Sequence, residues 1–288
     1  MSSIAVITDS NSGITQNEAK ELGIYVIPMP FLIDEQNYYE DINLTQEEFY
    51  KKMEEKVNVA TSQPSPGEIM KVWDEALKEY ETALYIPMSS GLSGTCATAI
   101  MLAEDYEGKV LVVDNQRISV TQKNSVMDAL KLVKEGHDIQ SIYDVLMETK
   151  LDASIYIMVD TLKYLRKGGR LTPAVAALGT ILRIKPVLQI QGEKLDTFAK
   201  ARTVKQGMSI MLKALQDDME NRFHNDLEGM YINIAHTQNE KGANELKEEI
   251  WKIYPGIEIM VNPLSLSVSC HIGPGALAVA MAKKANIS

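Results

Sequence analysis

Residues 83–99 read ALYIPMSSGLSGTCATA: an apolar run, Ala83 to Pro87, hands over through two glycines and several hydroxyls to a small-residue helical stretch. A strand passing at once through a turn into a helix is the building unit of a parallel sheet. Working outward, Ile4 to Thr8 (IAVIT) is a strand pattern and residues 17–22 (NEAKEL) a short helix. Tyr25 to Ile33 (YVIPMPFLI) is extended, with prolines that place it at an edge. Thr45 with Glu48 three positions later forms a capping box that starts a helix over 45–56. After ATSQPSPGE, the residues Ile69, Val72, Trp73, Ala76 and Leu77 share one helical face. Residues 109–113 and 124–134 add a strand and a helix, with one more helix near 139–149. This order predicts an α/β domain whose parallel sheet is covered on both faces.

From about residue 151 the texture changes. ASIYIMVD and MYINIAH are strand patterns, 204–220 is helical, and Val187 to Ala199 reads as a hairpin turning at Gly192, so this half is α+β with a mixed or antiparallel sheet. The closing SCHIGPGALAVAMAKK reads as an extended run, a Gly-Pro-Gly turn and a small-residue helix. The expected division is a three-layer N-terminal α/β domain over 1–158 and a C-terminal α+β domain over 159–288. No strict repeat, linker or low-complexity tract interrupts them.

The 288 residues suffice for two cores, and 45% hydrophobic against 24% charged residues is the balance of a globular chain. A net charge of −10 argues against a nucleic-acid surface, which needs clustered Lys and Arg. Cys96 and Cys270 are the only cysteines, the amino terminus lacks a basic region followed by an apolar run, and no segment is long enough to span a bilayer. The expectation is a cytoplasmic, reduced protein.

Three junctions carry the chemistry. SSGLSGT offers hydroxyls at Ser89, Ser90, Ser93 and Thr95, and glycines at Gly91 and Gly94 that let backbone N–H groups approach a ligand. A helix start beyond such a turn suits a phosphate or carboxylate. In Thr61-Ser62-Gln63-Pro64 the prolines delay the helix until about Pro66 and leave Thr61 at a strand end or loop. The third junction is His271-Ile272-Gly273-Pro274-Gly275. Singly, each has an ordinary role as a cap, a turn or a structural histidine. Jointly, at one edge of a parallel sheet, they make a crevice of neutral donors for a small anionic head group.

Enzymatic alternatives find less support. Gly91-Leu92-Ser93-Gly94-Thr95 lacks the final glycine of a G-x-S-x-G elbow, and no P-loop, G-x-G-x-x-G or H-E-x-x-H motif is present. A serine or cysteine acyl hydrolase or transferase using Ser93 or Cys96 with His271 is the rival reading, although two small buried thiols are the simpler account of the cysteines. Positive charge gathers at 163–170 (KYLRKGGR) and 200–205 (KARTVK). Solvated loop charge is the ordinary explanation of each; together they offer a docking surface for an acidic partner or a phosphate, with Arg170 reaching either solvent or a head group.

The series TDS near the amino terminus, TSQPS, SSGLSGT, YLRKGGR and HIGPG resembles, in order and approximate spacing over essentially the whole chain, the DegV family of bacterial fatty-acid-binding proteins. The resemblance implies an N-terminal α/β domain joined to an α+β domain, with a fatty acid enclosed between or within them. It implies a carrier without a cofactor or nucleotide site of its own, which presents the acyl carboxylate to a separate, dihydroxyacetone-kinase-like fatty acid kinase subunit that makes acyl phosphate with ATP. By that resemblance Thr61 and Ser93 hold the carboxylate. Ser62, Gly94, His271 and Arg170 support the head-group site, and Arg202 engages the partner. Transient contact with a membrane surface for lipid exchange belongs to the same picture, and Ala174 to Leu182 and the Met-containing stretches are candidate tunnel lining.

Overall fold

A computed structural model describes residues 3–55, 58–169, 172–178, 184–192 and 194–287. The chain divides by contacts into two units: residues 1–151 with 265–267 and 285–288, and residues 152–264 with 268–284. The division falls between Leu151 and Asp152, so strand Ala153–Met158 lies in the second unit rather than the first.

In the first unit the chain order is β1 (Ile4–Asp9), a 3-10 turn (Ser10–Ser12), α1 (Gln16–Leu22), β2 (Tyr25–Ile27), β3 (Pro30–Ile33), β4 (Gln36–Tyr39), α2 (Gln46–Glu54) and β5 (Val59–Thr61). It continues with α3 (Pro66–Ala76), β6 (Thr82–Ile86), α4 (Thr95–Ala103), β7 (Val110–Val112), α5 (Ser119–Glu135) and α6 (Ile139–Glu148). Among the described residues, β2-β1-β6-β7 form a four-stranded sheet, parallel throughout. Its strands are buried on both faces, because successive side chains point opposite ways. Ile4, Val6, Leu84 and Ile86 pack with Val126, Leu132, Ile142 and Leu146 of α5 and α6. Ala5, Ile7, Ala83 and Tyr85 pack with Ile69, Trp73, Cys96 and Ala99 of α3 and α4. Three layers result, as the repeated strand and helix order predicts.

The capping box at Thr45 and Glu48 is present, and a second at Ser65 and Glu68 starts α3 with Pro66 in its first position. The proline-rich run divides: β2 is an edge strand, but β3 is the inner strand of a small antiparallel sheet, β4-β3-β5. Pro30 is tolerated there because it is the first residue of the strand.

The second unit holds β8 (Ala153–Met158), α7 (Lys163–Gly168), α8 (Pro173–Leu178), β9 (Lys185–Ile190), β10 (Leu195–Ala201), α9 (Val204–Asn221), β11 (Met230–His236), α10 (Glu240–Ile253) and β12 (Ile259–Pro263). Next comes α11 (Leu266–Ile272), whose first residues belong to the first unit, and then β13 (Leu277–Lys283). The sheet order is β10-β9-β8-β13-β11-β12, antiparallel except for β11 with β12. Helices α9 and α10 supply Met211, Leu215, Leu246 and Ile250 to a core with Leu277, Val279 and Met281.

The closing segment corrects the sequence reading in both halves. LSVSCHI is helical and LAVAMAK is an inner strand between β8 and β11. Alanine is the best helix former, but its advantage over other residues is below about 1 kcal/mol each, and pairing with a strand on either side overrides it in β13. The HIGPG junction therefore runs from helix to strand, with Cys270 and His271 in the helix rather than in an extended run. KYLRKG is likewise a short helix, not a loop.

Candidate functional site

The SSGLSGT turn is fixed before it reaches its hydroxyls. Met88 N–H donates to Asp9 Oδ2 at 2.9 Å, and Ser89 N–H to the Arg117 carbonyl at 2.8 Å. The amides of Leu92 and Ser93 then donate to the Ser89 carbonyl at 3.0 and 3.2 Å, and Ser90 N–H donates to Asp114 Oδ1 at 3.2 Å. Gly94 caps α4, its carbonyl accepting from Thr98 N–H at 3.0 Å. Half-buried Ser93 accepts from Thr95 N–H at 3.2 Å, and its Oγ lies 2.8 Å from the Oγ1 of buried Thr95. Neutral donors thus gather at a helix start, where the unpaired amides and the macrodipole favour an anion.

The second loop meets this turn. Thr61 closes β5 opposite Phe31, and Ser62 N–H donates to the Pro30 carbonyl at 3.3 Å. Thr61 is half-buried and Ser62 exposed. Gln63 then donates from Nε2 to Thr98 Oγ1 at 3.1 Å, and a Cβ on Gly94 would stand 2.7 Å from Gln63 Oε1. Gly94 thus serves close approach, and the side chain of Gln63 brings the loop at 61–64 against the turn at 93–94. Gln63 is a site residue that sequence reasoning missed, since a glutamine inside a turn carries no distinguishing pattern.

In the second unit, half-buried His271 lies in the last turn of α11 against α7. A Cβ on Gly168 would stand 2.0 Å from His271 Nδ1, and one on Gly273 would stand 2.2 Å from the Tyr164 ring. Each glycine receives the other helix's ring. The turn after His271 is held by fully buried Thr237. Its Oγ1 donates to the Gly273 carbonyl at 2.6 Å and accepts from Ala276 N–H at 2.9 Å. Its backbone exchanges bonds with Ala276 and Gly275, and Asn239 Nδ2 donates to the Gly275 carbonyl at 3.1 Å. Neither Thr237 nor Asn239 is marked by the motif they support.

Exposed Arg202 donates its N–H to Gln206 Oε1 at 2.8 Å just before α9, and Lys200 and Lys205 beside it are also exposed. Arg170 lies outside the described residues, as do residues 179–182 of the suggested tunnel lining; Val175 of α8 is buried while Ala174 and Ala176 are exposed. Among the described residues, no group of three or more His, Cys, Asp or Glu is placed to hold a metal ion, and no helix is long and apolar enough to cross a membrane.

Cys96 is poorly suited to attack. Burial, reinforced by the charge of Asp114, pushes its thiol up to about 12. At pH 8 only on the order of one molecule in ten thousand then carries a thiolate. Labelling with an aromatic disulfide at pH 8 is expected to modify Cys270 well before Cys96, which reacts only on unfolding; equal rates would contradict this.

Fold and site together define a two-unit protein with a three-layer parallel α/β part and a mixed-sheet α+β part. The chain belongs to the DegV family: the family model, described as "uncharacterised protein, DegV family", matches residues 3–284. A DegV domain-containing protein of Halalkalibacterium halodurans is 31% identical over 281 residues, covering 96% of this chain and 97% of that protein. The structure of a DegV family protein from Thermus thermophilus, described for its fatty acid binding, matches with a TM-score of 0.89 and 30% identity over 98% of this chain and 99% of that one. DegV of Bacillus subtilis, described as a fatty acid binding protein, matches with a TM-score of 0.86 and 30% identity over 99% of this chain and 100% of that one.

Proposed function

We propose that this chain binds a long-chain fatty acid, encloses its acyl chain and presents the carboxylate to a separate ATP-dependent, dihydroxyacetone-kinase-like subunit for acyl phosphate formation. The observation that carries this reading is the seating of Gln63 against Gly94 and Thr98, which brings the loop at 61–64 against the turn at 93–94. The fatty acid binding described for the Thermus thermophilus and Bacillus subtilis structures supports it. Thr61 and Ser93 hold the carboxylate, Ser62, Gly94, His271 and Arg170 support the head group, and Arg202 docks the kinase subunit. The protein is a cytoplasmic carrier without its own cofactor, in transient contact with membrane surfaces for lipid exchange.

Magnitudes favour carriage. Burying a sixteen-carbon chain at about 0.8 kcal/mol per methylene yields roughly 12 kcal/mol of gross transfer energy before ordering costs. An unpartnered buried carboxylate costs several kcal/mol, so the hydroxyls fix orientation while the chain supplies affinity. The hydrolase reading gains nothing from the site: the Cys96 thiol stays protonated, and the Ser93 hydroxyl is engaged with Thr95.

The deciding experiment is mass spectrometry of lipid co-purified with the protein, followed by palmitate binding. Ser93→Ala and Thr61→Ala are each expected to weaken retention roughly 10- to 100-fold, the scale of one hydrogen bond to a charged group. Arg202→Ala is expected to spare binding and impair phosphorylation by the kinase subunit. No extracted lipid and no palmitate uptake by the wild type would refute the reading; equal loss of both properties in Arg202→Ala would refute the division of roles.

A further inference from the structure

The TDS stretch has no part in the reading above, yet the turn that follows β1 is nearly sealed from solvent: Asp9, Ser10, Asn11 and Ser12 are 0%, 6%, 2% and 1% exposed. The partners of the Asp9 carboxylate are neutral N–H groups. Oδ1 accepts from Asn11 N–H at 3.0 Å, Asn11 Nδ2 at 2.8 Å and Gln122 Nε2 at 3.1 Å, and Oδ2 accepts from Met88 N–H at 2.9 Å. Met88 opens the segment that carries Ser93. Ser10 Oγ accepts from Met29 N–H at 3.0 Å, and Met29 immediately precedes Pro30, whose carbonyl takes the Ser62 N–H, and Phe31, which pairs with Thr61. Asn11 Oδ1 accepts from Ser267 Oγ at 2.5 Å.

Two successive residues of one turn, Asp9 and Ser10, therefore bond to the lead-ins of two separate segments, each of which carries a head-group residue. Among the described residues no cation faces this buried carboxylate and these donors hold it, so they are in turn held by it. Resting on the fatty-acid reading, we infer that the Asp9–Ser12 turn is the positioning element of the head-group site. Asp9 acts through Met88 on Ser93, and Ser10 through Met29 on Thr61 and Ser62, while Asn11 ties the turn to Ser267 within the same unit. The residues of the turn are positioning residues, and the carboxylate is touched by others.

The test uses the full chain with [1-13C]palmitate. Asp9→Asn keeps the shape but must turn an NH2 group toward N–H donors. It is expected to raise the palmitate Kd at least tenfold, displace the bound carboxyl resonance and speed hydrogen exchange at the Met88 amide at least tenfold. Ile142→Val, in the cluster packed under α5 and α6, lowers melting temperature without touching the turn and is expected to leave the resonance in place. A Kd within twofold of wild type for Asp9→Asn, or the same displaced resonance in Ile142→Val, overturns the inference. Should Asp9→Asn fail to fold, Ser10→Ala carries the same test through Met29: a displaced resonance, restored by Ser10→Thr, supports the inference, and an unmoved one overturns it. If the wild type takes up no palmitate, the fatty-acid reading is what fails. Amide exchange at Met88 and Met29 in unliganded Asp9→Asn and Ser10→Ala then decides the turn's role, with faster exchange supporting it and unchanged exchange overturning it.

Discussion

Gly273→Ala is expected to destabilise the protein by about 2–5 kcal/mol, a drop in melting temperature of roughly 5–15 °C for a unit of this size. Two costs combine. The residue has φ +83°, where a Cβ costs about 1–2 kcal/mol, and its Cβ would stand 2.2 Å from the Tyr164 ring, an overpacking worth about 1–3 kcal/mol more. Gly256 separates them, since it has φ +79° but nothing within 4 Å of its Cβ position, so Gly256→Ala carries the backbone cost alone. Gly168→Ala makes a third contrast. Its Cβ would stand 2.0 Å from His271 Nδ1 with no positive φ to strain, so the imidazole must swing away. Thermal denaturation of the three variants beside fatty-acid retention reads both effects: Gly273→Ala loses most stability, and Gly168→Ala loses retention out of proportion to stability. Equal melting temperatures for Gly273→Ala and Gly256→Ala would show that Tyr164 yields without cost.

Glu40→Gln is expected to stabilise the protein at alkaline pH. Burial, with a smaller contribution from the charge of Asp41, raises the Glu40 carboxyl from an ordinary 4.5 to about 8, although Leu266 N–H donates to Oε2 at 2.8 Å. A carboxyl raised in the folded state binds its proton more tightly there than in the unfolded chain. Its contribution is fully present below pH 4.5 and is lost as pH rises toward about 8. At about 1.4 kcal/mol per pH unit, the wild type loses on the order of a few kcal/mol across that window. Glutamine stays neutral and still offers an oxygen to Leu266. Urea midpoints at pH 5 and pH 8.5 and constant ionic strength test this: the variant is expected to overtake the wild type at the higher pH. Parallel pH profiles for the two proteins would refute it.

Local signals survived translation into structure where the physics is local. Thr45 with Glu48, and Pro66 at a helix start, act within one turn, and the continuous apolar runs of IAVIT and ALYI need only that both sheet faces be covered. Strand β13 failed because Ala278, Ala280 and Ala282 suit a helix as well as a crowded strand, and only the flanking β8 and β11 decide. Strand β4 escaped notice because QNYY is polar and partly exposed, and β5 stayed an alternative, with Thr61 at a strand end or loop, because VAT is three residues long. Of the site, the hydroxyls and glycines of SSGLSGT and TSQP were legible. What seats them was not: Gln63 reaches Thr98 across 35 positions, and Thr237 holds a turn 36 positions away. Contacts between distant segments leave no periodicity to read.

The return of the chain to the first unit delays completion of that unit's packing until late in synthesis. Asp128 Oδ2 accepts from Ala285 N–H at 3.0 Å, Glu40 from Leu266 N–H, and Asn11 from Ser267, while Ala285 also joins the cluster of Ile4, Val6 and Leu132. A ribosome that has released the first 151 residues has therefore not released the groups that complete their packing. The amino-terminal unit waits, unfinished, for residues made more than a hundred positions later, with its Asp9–Ser12 turn short of a partner until Ser267 emerges.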